Sequence, residues 1–177
     1  MDQVGLWMPR PYASFDRRLV MSQLSPVLSD LYPGATKWLD RRLDDVEYGT
    51  AACRLIRSGA SLKGVTIETP KGQNRLKLST LWVGSDYRRM GIGRALLDAC
   101  RVRWVERGLE SVTLTADTSA ASDLGVLLRR SGFTVAKIER DRYGEGRHEV
   151  IFEWLPVRDP LVDAPAAAMS PAVSPSA

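Results

Sequence analysis

The sequence predicts a single-domain α/β fold in which helices flank a mixed, mostly antiparallel sheet. Two short β-like runs are joined by a hairpin signal at Ser58-Gly59-Ala60, and a third run follows them directly. Between residues 76 and 100 the apolar period then changes from that of a strand to that of a helix. The 177 residues are 44% hydrophobic and 26% charged, which fits one domain with an ordinary core. Strands followed by a βαβαββ order indicate an α/β sandwich.

Periodicity and turn residues predict each element in order. The predicted helices are 16–31, 35–46, 91–107 and 122–131, and the predicted strands are 50–57, 62–69, 76–83, 110–116, 133–139 and 148–154. Pro26 must kink or divide the first helix. In the strand at 76–83, simple alternation places Leu76, Leu78, Thr80 and Trp82 on one face.

The two ends of the chain differ from its middle. Residues 1–9 form an N-terminal arm, 10–155 the folded domain, and 156–177 a Pro- and Ala-rich tail that we expect to be disordered. The sequence does not decide whether residues 1–12 form a loose arm or a short first strand.

Charge and cysteine content limit the classes of function that the sequence can have. A net charge of +4 suits a polyanionic ligand but does not by itself indicate nucleic acid. Cys53 and Cys100 have no metal-site spacing, His148 is the only histidine, and no metal is expected. Both cysteines interrupt apolar patterns, which favours buried free thiols. Because neither a signal peptide nor an apolar run of membrane-spanning length is visible, we expect a cytoplasmic protein without membrane contact.

The segment between the strand at 76–83 and the next helix predicts an anion site. It contains Arg88, Arg89, Gly91 and Gly93 just before the helix. Amides in the first turn of a helix lack partners, the helix dipole favours negative charge there, and glycine admits a close phosphate. A Rossmann site would need a third glycine where Leu96 stands, and a P-loop would need Gly-Lys-Ser/Thr, which is absent.

The run Arg88-Arg89-Met90-Gly91-Ile92-Gly93 resembles the pyrophosphate-binding signature Arg/Gln-x-x-Gly-x-Gly/Ala of GNAT N-acetyltransferases. Its flanking strand and helix, and the element order over about residues 10–155, are similar to those of this family. The resemblance implies acetyl-CoA as co-substrate, an amine acceptor, and direct attack in a ternary complex. It also implies a pantetheine arm lying between the strands at 76–83 and 110–116. The implied cofactor-binding residues are Leu81, Trp82, Val83, Arg88, Arg89, Met90, Gly91, Ile92, Gly93 and Arg94.

The resemblance is weakest at the catalytic positions. Lys77 occupies the place of the glutamate base found in many members, and Leu128 that of the tyrosine acid. Tyr143 is the catalytic candidate that remains, because its hydroxyl could protonate the thiolate. Weaker candidates for proton transfer are Ser122, which a helix start makes more typical of an N-cap, His148, Glu68 and Glu149.

The acceptor stays open at this stage. A small-molecule amine, a protein amine, or the amino group of an aminoacyl-tRNA, as for GNAT toxins, are the alternatives, and the modest charge supports tRNA weakly. The missing glutamate and tyrosine also leave a non-catalytic acyl-CoA-binding module open. A homodimer is compatible with the sequence.

Overall fold

A computed structural model of the chain describes residues 7–31, 33–142, 144–146 and 148–157. Four helices and seven strands make up the fold. The helices are α1 (Arg17–Leu31), α2 (Ala35–Glu47), α3 (Ile92–Glu106) and α4 (Thr118–Arg130). The strands are β1 (Arg10–Pro11), β2 (Ala52–Ser58), β3 (Ser61–Pro70), β4 (Arg75–Val83), β5 (Ser111–Asp117), β6 (Phe133–Glu139) and β7 (Glu149–Trp154).

All seven strands belong to one sheet with the order β1-β2-β3-β4-β5-β7-β6. Neighbouring strands are antiparallel except β4 and β5, which run parallel. A parallel neighbour requires a crossover, and α3 supplies it. The predicted fold class, a mixed and mostly antiparallel sheet with flanking helices, is confirmed.

The sheet separates two apolar cores. Under α3 and α4, Trp104 packs edge-on against Phe133 and tilted against Trp154, with ring centroids 5.9 and 5.3 Å away. Under α1 and α2, buried Leu24 and Leu39 pack against the opposite side of β2 and β3. Each helix pair therefore covers its own face of the sheet.

A bulge in β4 overturns the predicted alternation of that strand. Thr80 pairs with Ile67 but Leu78 pairs with Glu68, so the backbone of Ser79 has no pairing partner on β3. An extra residue moves every later side chain to the other face. Leu81 consequently packs with the α3 side, whereas Trp82 packs against the α1/α2 core. The prediction that Trp82 shares a face with Leu76 and Leu78 was wrong.

Two helices differ from their predicted form. Helix α1 runs through Pro26 undivided, and the residue predicted to begin it, Asp16, ends a separate 3-10 turn. Helix α4 begins at Thr118, immediately after β5, rather than at Ser122. Its first turn is Thr-Ser-Ala-Ala, which offers no large apolar residue for periodicity to detect. Ser122 is therefore an exposed residue inside the helix and not its N-cap.

The remaining predictions concern the two termini, the cysteines and Tyr143. Residues 10 and 11 form β1, paired with Leu55 and Arg54 of β2. Cys53 and Cys100 are buried free thiols, as predicted. Tyr143, residues 1–6 of the arm and residues 158–177 of the tail lie outside the described residues. No helix in the described part of the chain has the length and apolarity needed to cross a bilayer.

Candidate functional site

The loop between β4 and α3 ends in an open helix N-terminus. Gly91 precedes α3 with φ +82°, a conformation that glycine adopts without strain. The first amide of this region to bond a backbone carbonyl is that of Ala95, which donates to Gly91 at 2.9 Å. Within the described residues no side chain caps the helix, so the amides of Ile92, Gly93 and Arg94 remain available for an anion.

The start of α3 lies close to α4. A Cβ on Gly93 would come 2.9 Å from Leu127 of α4 and 3.6 Å from Val83 of β4. Because real Cβ atoms do not make so short a contact, a larger residue here would require the Leu127 side chain to shift. The second glycine of the motif therefore positions the helix end against the edge of β4.

The loop is held in shape by contacts that the motif does not contain. The Trp7 indole N–H donates to the Met90 carbonyl at 2.7 Å, and the Lys63 ammonium lies 4.3 Å from the centre of the Trp7 ring. The Tyr87 hydroxyl lies 2.9 Å from that of Ser61 on β3. Arg89 adopts φ +61°, which is unusual for a residue with a side chain. Such backbone persists where surrounding contacts fix it, as these do.

The strands β4 and β5 separate beside this loop. They pair only from Arg75 with Ser111 to Lys77 with Thr113, and beyond that point no pairing between them is present. The gap therefore runs along the last two thirds of β4 toward the first turn of α3.

Two amides of β4 face the gap. The Gly84 amide donates to the Lys63 carbonyl at 3.0 Å, and Val83 is paired with Gly64. In an antiparallel ladder this pattern makes Val83 a non-hydrogen-bonded residue whose N–H and C=O turn away from β3. By the same alternation the Leu81 amide also faces the gap, while that of Trp82 faces β3. The Val83 carbonyl accepts a bond from Arg88 Nε at 3.4 Å.

A cavity of about 430 Å³ opens on the α1/α2 face where the strands separate. Lys77 and Ser79 of β4 and Thr115 of β5 form its wall at the sheet. Ser79 is also tied to Thr69 by a hydroxyl contact of 2.9 Å. A second cavity of about 280 Å³, which includes Asp86, lies past the C-terminal end of β4 and does not reach the point of separation.

Lys77 stands where many GNAT members have a glutamate base. Burial lowers the pKa of its ammonium, the negative charge of Glu149 opposes this, and the positive charges of Lys71 and Arg142 lower the pKa further. The position therefore carries an amine with a weakened hold on its proton in place of a carboxylate.

The other candidates for proton transfer are occupied elsewhere. Glu68 is buried on the α3 face, where the Trp104 indole donates to it and Arg103 lies 3.7 Å away. Burial raises the pKa of this carboxyl, although the bond from Trp104 counteracts it. Glu149 is buried and ion-paired with Arg142 at 3.0 Å. His148 Nδ1 accepts the Asp141 amide at 3.1 Å within the β6–β7 turn.

Leu128 offers the site no proton. Its side chain is fully buried in the core under α3 and α4, and the neighbouring Leu127 approaches Gly93. Cys100 is buried in the same core, where burial raises the pKa of its thiol to about 12. Leu128 has no exchangeable side-chain proton, and the Cys100 thiol is enclosed in the core.

Three residues near the site were missed by the sequence analysis. Trp7 bonds the loop from 83 positions away, and Arg42 and Lys71 border the cavity. No spacing relates these residues to the glycine motif, because their contacts exist only after the sheet forms. The bulge at Ser79 likewise has no local signal in an otherwise alternating run.

Known proteins share this architecture. The chain matches the acetyltransferase (GNAT) family profile over residues 12–133. No curated protein sequence matches it significantly. A ribosomal-protein-alanine N-acetyltransferase from Brucella melitensis superposes with a TM-score of 0.71 at 14% identity, covering 84% of this chain and 99% of that one.

Two further structures show the same fold. An aminoglycoside 6'-N-acetyltransferase from Enterococcus faecium has a TM-score of 0.68 at 14% identity, with 86% of this chain and 99% of that one covered. A GNAT acetyltransferase from Elizabethkingia anophelis, solved with acetyl-CoA bound, has a TM-score of 0.65 at 12% identity, covering 86% and 99%. Identities this low establish the fold alone, but the profile spans most of the folded region. The chain belongs to the GNAT acetyltransferase family.

Proposed function

We propose that the protein transfers the acetyl group of acetyl-CoA to an amine by direct attack. The observation that carries this is the separation of β4 from β5 beside the open N-terminus of α3. The loop from Arg88 to Arg94 binds the pyrophosphate through the amides of Ile92, Gly93 and Arg94, with arginine support. The pantetheine arm then lies in the gap.

The thioester carbonyl is polarised by β4. Of the three residues Leu81, Trp82 and Val83, the first and last turn their amides toward the gap, so these two stabilise the developing oxyanion. Trp82 contributes to the site by holding β4 against the α1/α2 core. Acceptors enter from the cavity at Lys77, Ser79 and Thr115.

The transfer balances without an enzyme nucleophile. The neutral amine attacks the thioester carbonyl carbon, the C–S bond breaks, the thiolate gains a proton, and the new amide nitrogen loses one. Cys53 and Cys100, the two cysteines of the chain, are both buried, and burial raises the pKa of each thiol, which disfavours a covalent acetyl carrier. Positioning supplies much of the rate, with water as proton acceptor and Tyr143 as the proposed acid.

The test combines binding with turnover. Calorimetric titration with acetyl-CoA, followed by thiol release over a panel of primary amines with mass detection of the product, should show binding and acetylated amine. Direct attack also predicts no exchange of labelled CoA into acetyl-CoA when the amine is omitted. Exchange without an amine would instead require an acetyl-enzyme.

The buried Leu128 and the cavity without a carboxylate in the described lining favour one second candidate, an acyl-CoA-binding module without catalysis. Tight acetyl-CoA binding with no thiol release for any amine would establish it and reject the transferase.

A further inference from the structure

The cavity beside Lys77 has a lining of one charge sign. Arg42, Lys71 and Lys77 border it, and its described lining contains no aspartate or glutamate. Amines are cationic in water, so a site selective for a simple amine gains from carboxylates, which are absent here. The lining favours an anion instead.

The three cations are not fully used within the protein. No carboxylate of the described residues lies within ion-pair distance of Lys71 or Lys77, although the negative charge of Glu149 acts on Lys77 from farther away. Arg42 contacts Asp45 at 2.9 Å, but its Nε is buried and has no hydrogen-bond partner in the described structure. Because Nε is inaccessible, a ligand in the cavity would bond the terminal nitrogens of this partly exposed side chain.

Backbone amides add to the positive potential of the cavity. The cavity reaches Pro33 and Ala35, where α2 begins. Gly34 caps this helix without a side-chain bond, and the first amide to return to a helical carbonyl is that of Trp38, at 3.1 Å from Gly34 oxygen. The positive end of the α2 dipole therefore lies at the cavity with the three side chains.

The remaining lining is apolar or hydroxylic. Leu28, Pro33, Ala35 and Trp38 supply apolar surface opposite Thr69, Ser79 and Thr115 of the sheet. A volume of about 430 Å³ is at the small-molecule end of ligand sites. The shape suits a small amphipathic molecule with an apolar skeleton.

We propose that the acceptor is a small amine that carries a carboxylate and an apolar side chain, with apolar α-amino acids as the simplest class. The carboxylate lies among Arg42, Lys71 and Lys77, the apolar side chain contacts Trp38, and the amine faces the gap between Ser79 and Thr115. This inference rests on the proposed function, because an acceptor exists only if the protein transfers acetyl groups. The preference of the cavity for a carboxylate can nevertheless be measured without turnover.

The first experiment measures binding to the CoA-loaded protein. N-acetylphenylalanine, N-acetylleucine and N-acetylmethionine are each titrated beside the corresponding N-acetyl amide, which keeps the skeleton and removes the charge. For at least one pair we expect the carboxylate to bind at least about tenfold tighter than the amide, because hydrogen bonds to charged groups are stronger than those between neutral groups.

Variants assign the preference to the cavity. Lys71→Gln and Arg42→Gln should each remove most of the carboxylate preference while leaving the binding of the amide and of acetyl-CoA unchanged. Lys71→Glu, at an exposed position, should invert the preference and does not depend on the tolerance of the Arg42 site. Arg101→Gln is the matched control, since it removes one charge from the outer side of α3.

Each possible result either supports or overturns the inference. Equal binding of acid and amide, no binding of any acid, or a preference that survives Lys71→Gln and Lys71→Glu overturns the inference. Acetylation of neutral amines over amino acids also overturns it, while the proposed transferase stands. Carboxylate-selective binding without acetylation of any amine establishes the preference of the cavity and rejects the transferase.

Discussion

The two faces of the sheet form the two halves of the candidate site by different means. On the α3 side of the gap the site consists of backbone: the amides at the start of α3, together with those of Leu81 and Val83, which point into the gap between β4 and β5. On the α1/α2 face it consists of side chains from separate elements, namely Arg42 of α2, Lys71 after β3 and Lys77 of β4. A backbone site needs glycines at fixed spacing and leaves a motif, whereas a side-chain site leaves none. The acceptor half can therefore change its chemistry while the cofactor half stays constant.

Stability should depend more on the buried Trp104 of the α3/α4 core than on Trp38, which borders the cavity on the other face. Trp104→Ala removes a side chain that is 1% exposed, contacts Phe133 and Trp154, and donates to buried Glu68. We expect the free energy of unfolding to fall by about 3–5 kcal/mol. Trp38→Ala, at a half-buried position, should cost only about 1–2 kcal/mol. Urea titrations measure both, and equal losses would contradict the assignment of Trp104 to the core and of Trp38 to the cavity wall.

The cofactor half should fail when charge enters the loop. Gly91→Glu places a carboxylate among the amides that we propose to bind the pyrophosphate, and we expect acetyl-CoA affinity to fall at least about 100-fold. Gly108→Glu is the control, because Gly108 also has positive φ and open space around it but follows the other end of α3. Calorimetry measures both variants. Unchanged affinity in Gly91→Glu would remove the phosphate-loop assignment.

The arginines of the loop should matter less than its backbone. Arg88→Ala removes an exposed guanidinium whose Nε bonds the Val83 carbonyl. We expect a loss of about three- to tenfold in acetyl-CoA affinity, shrinking as salt rises, since exposed charges are screened. Calorimetry at two ionic strengths tests this. A salt-independent loss would mean that Arg88 acts by shaping the loop.

The smallest expected effect concerns protonation of Lys77. Its pKa lies below the ordinary 10.5 because burial disfavours the charged form. Labelling with an amine-reactive reagent as a function of pH should give a lower midpoint in the native protein than in urea. At pH values between the native and the unfolded pKa of Lys77, the unfolded chain binds more protons than the folded chain. The contribution of this lysine to the free energy of unfolding therefore increases as pH rises. A native midpoint equal to the unfolded one would indicate that Lys77 is solvated.

Much of the fold could be predicted from sequence because its elements have local causes. Hairpin turns, the change of period at residue 84 and the glycines of the loop are each encoded within a few positions. The start of α4 was misplaced because its first turn is small and polar, and the facing of β4 was wrong beyond Ser79 because a bulge leaves no mark in an alternating run. The cavity was out of reach, since residues from 28 to 115 meet there only through tertiary packing.

The unpaired Ser79 gives β4 two successive phases of alternation. Up to Leu78 the apolar side chains of β4 pack in the core under α3 and α4. Beyond the bulge, Leu81 and Val83 pack on the same side against the start of α3, while Trp82 packs against the α1/α2 core. Deletion of Ser79 would leave every later side chain on the face that it now occupies, because the pairs Glu68–Leu78 and Ile67–Thr80 would then follow one another in a regular ladder. We therefore expect β4 to tolerate the loss of this one residue better than the loss of Leu81, which would exchange the environments of the residues after it.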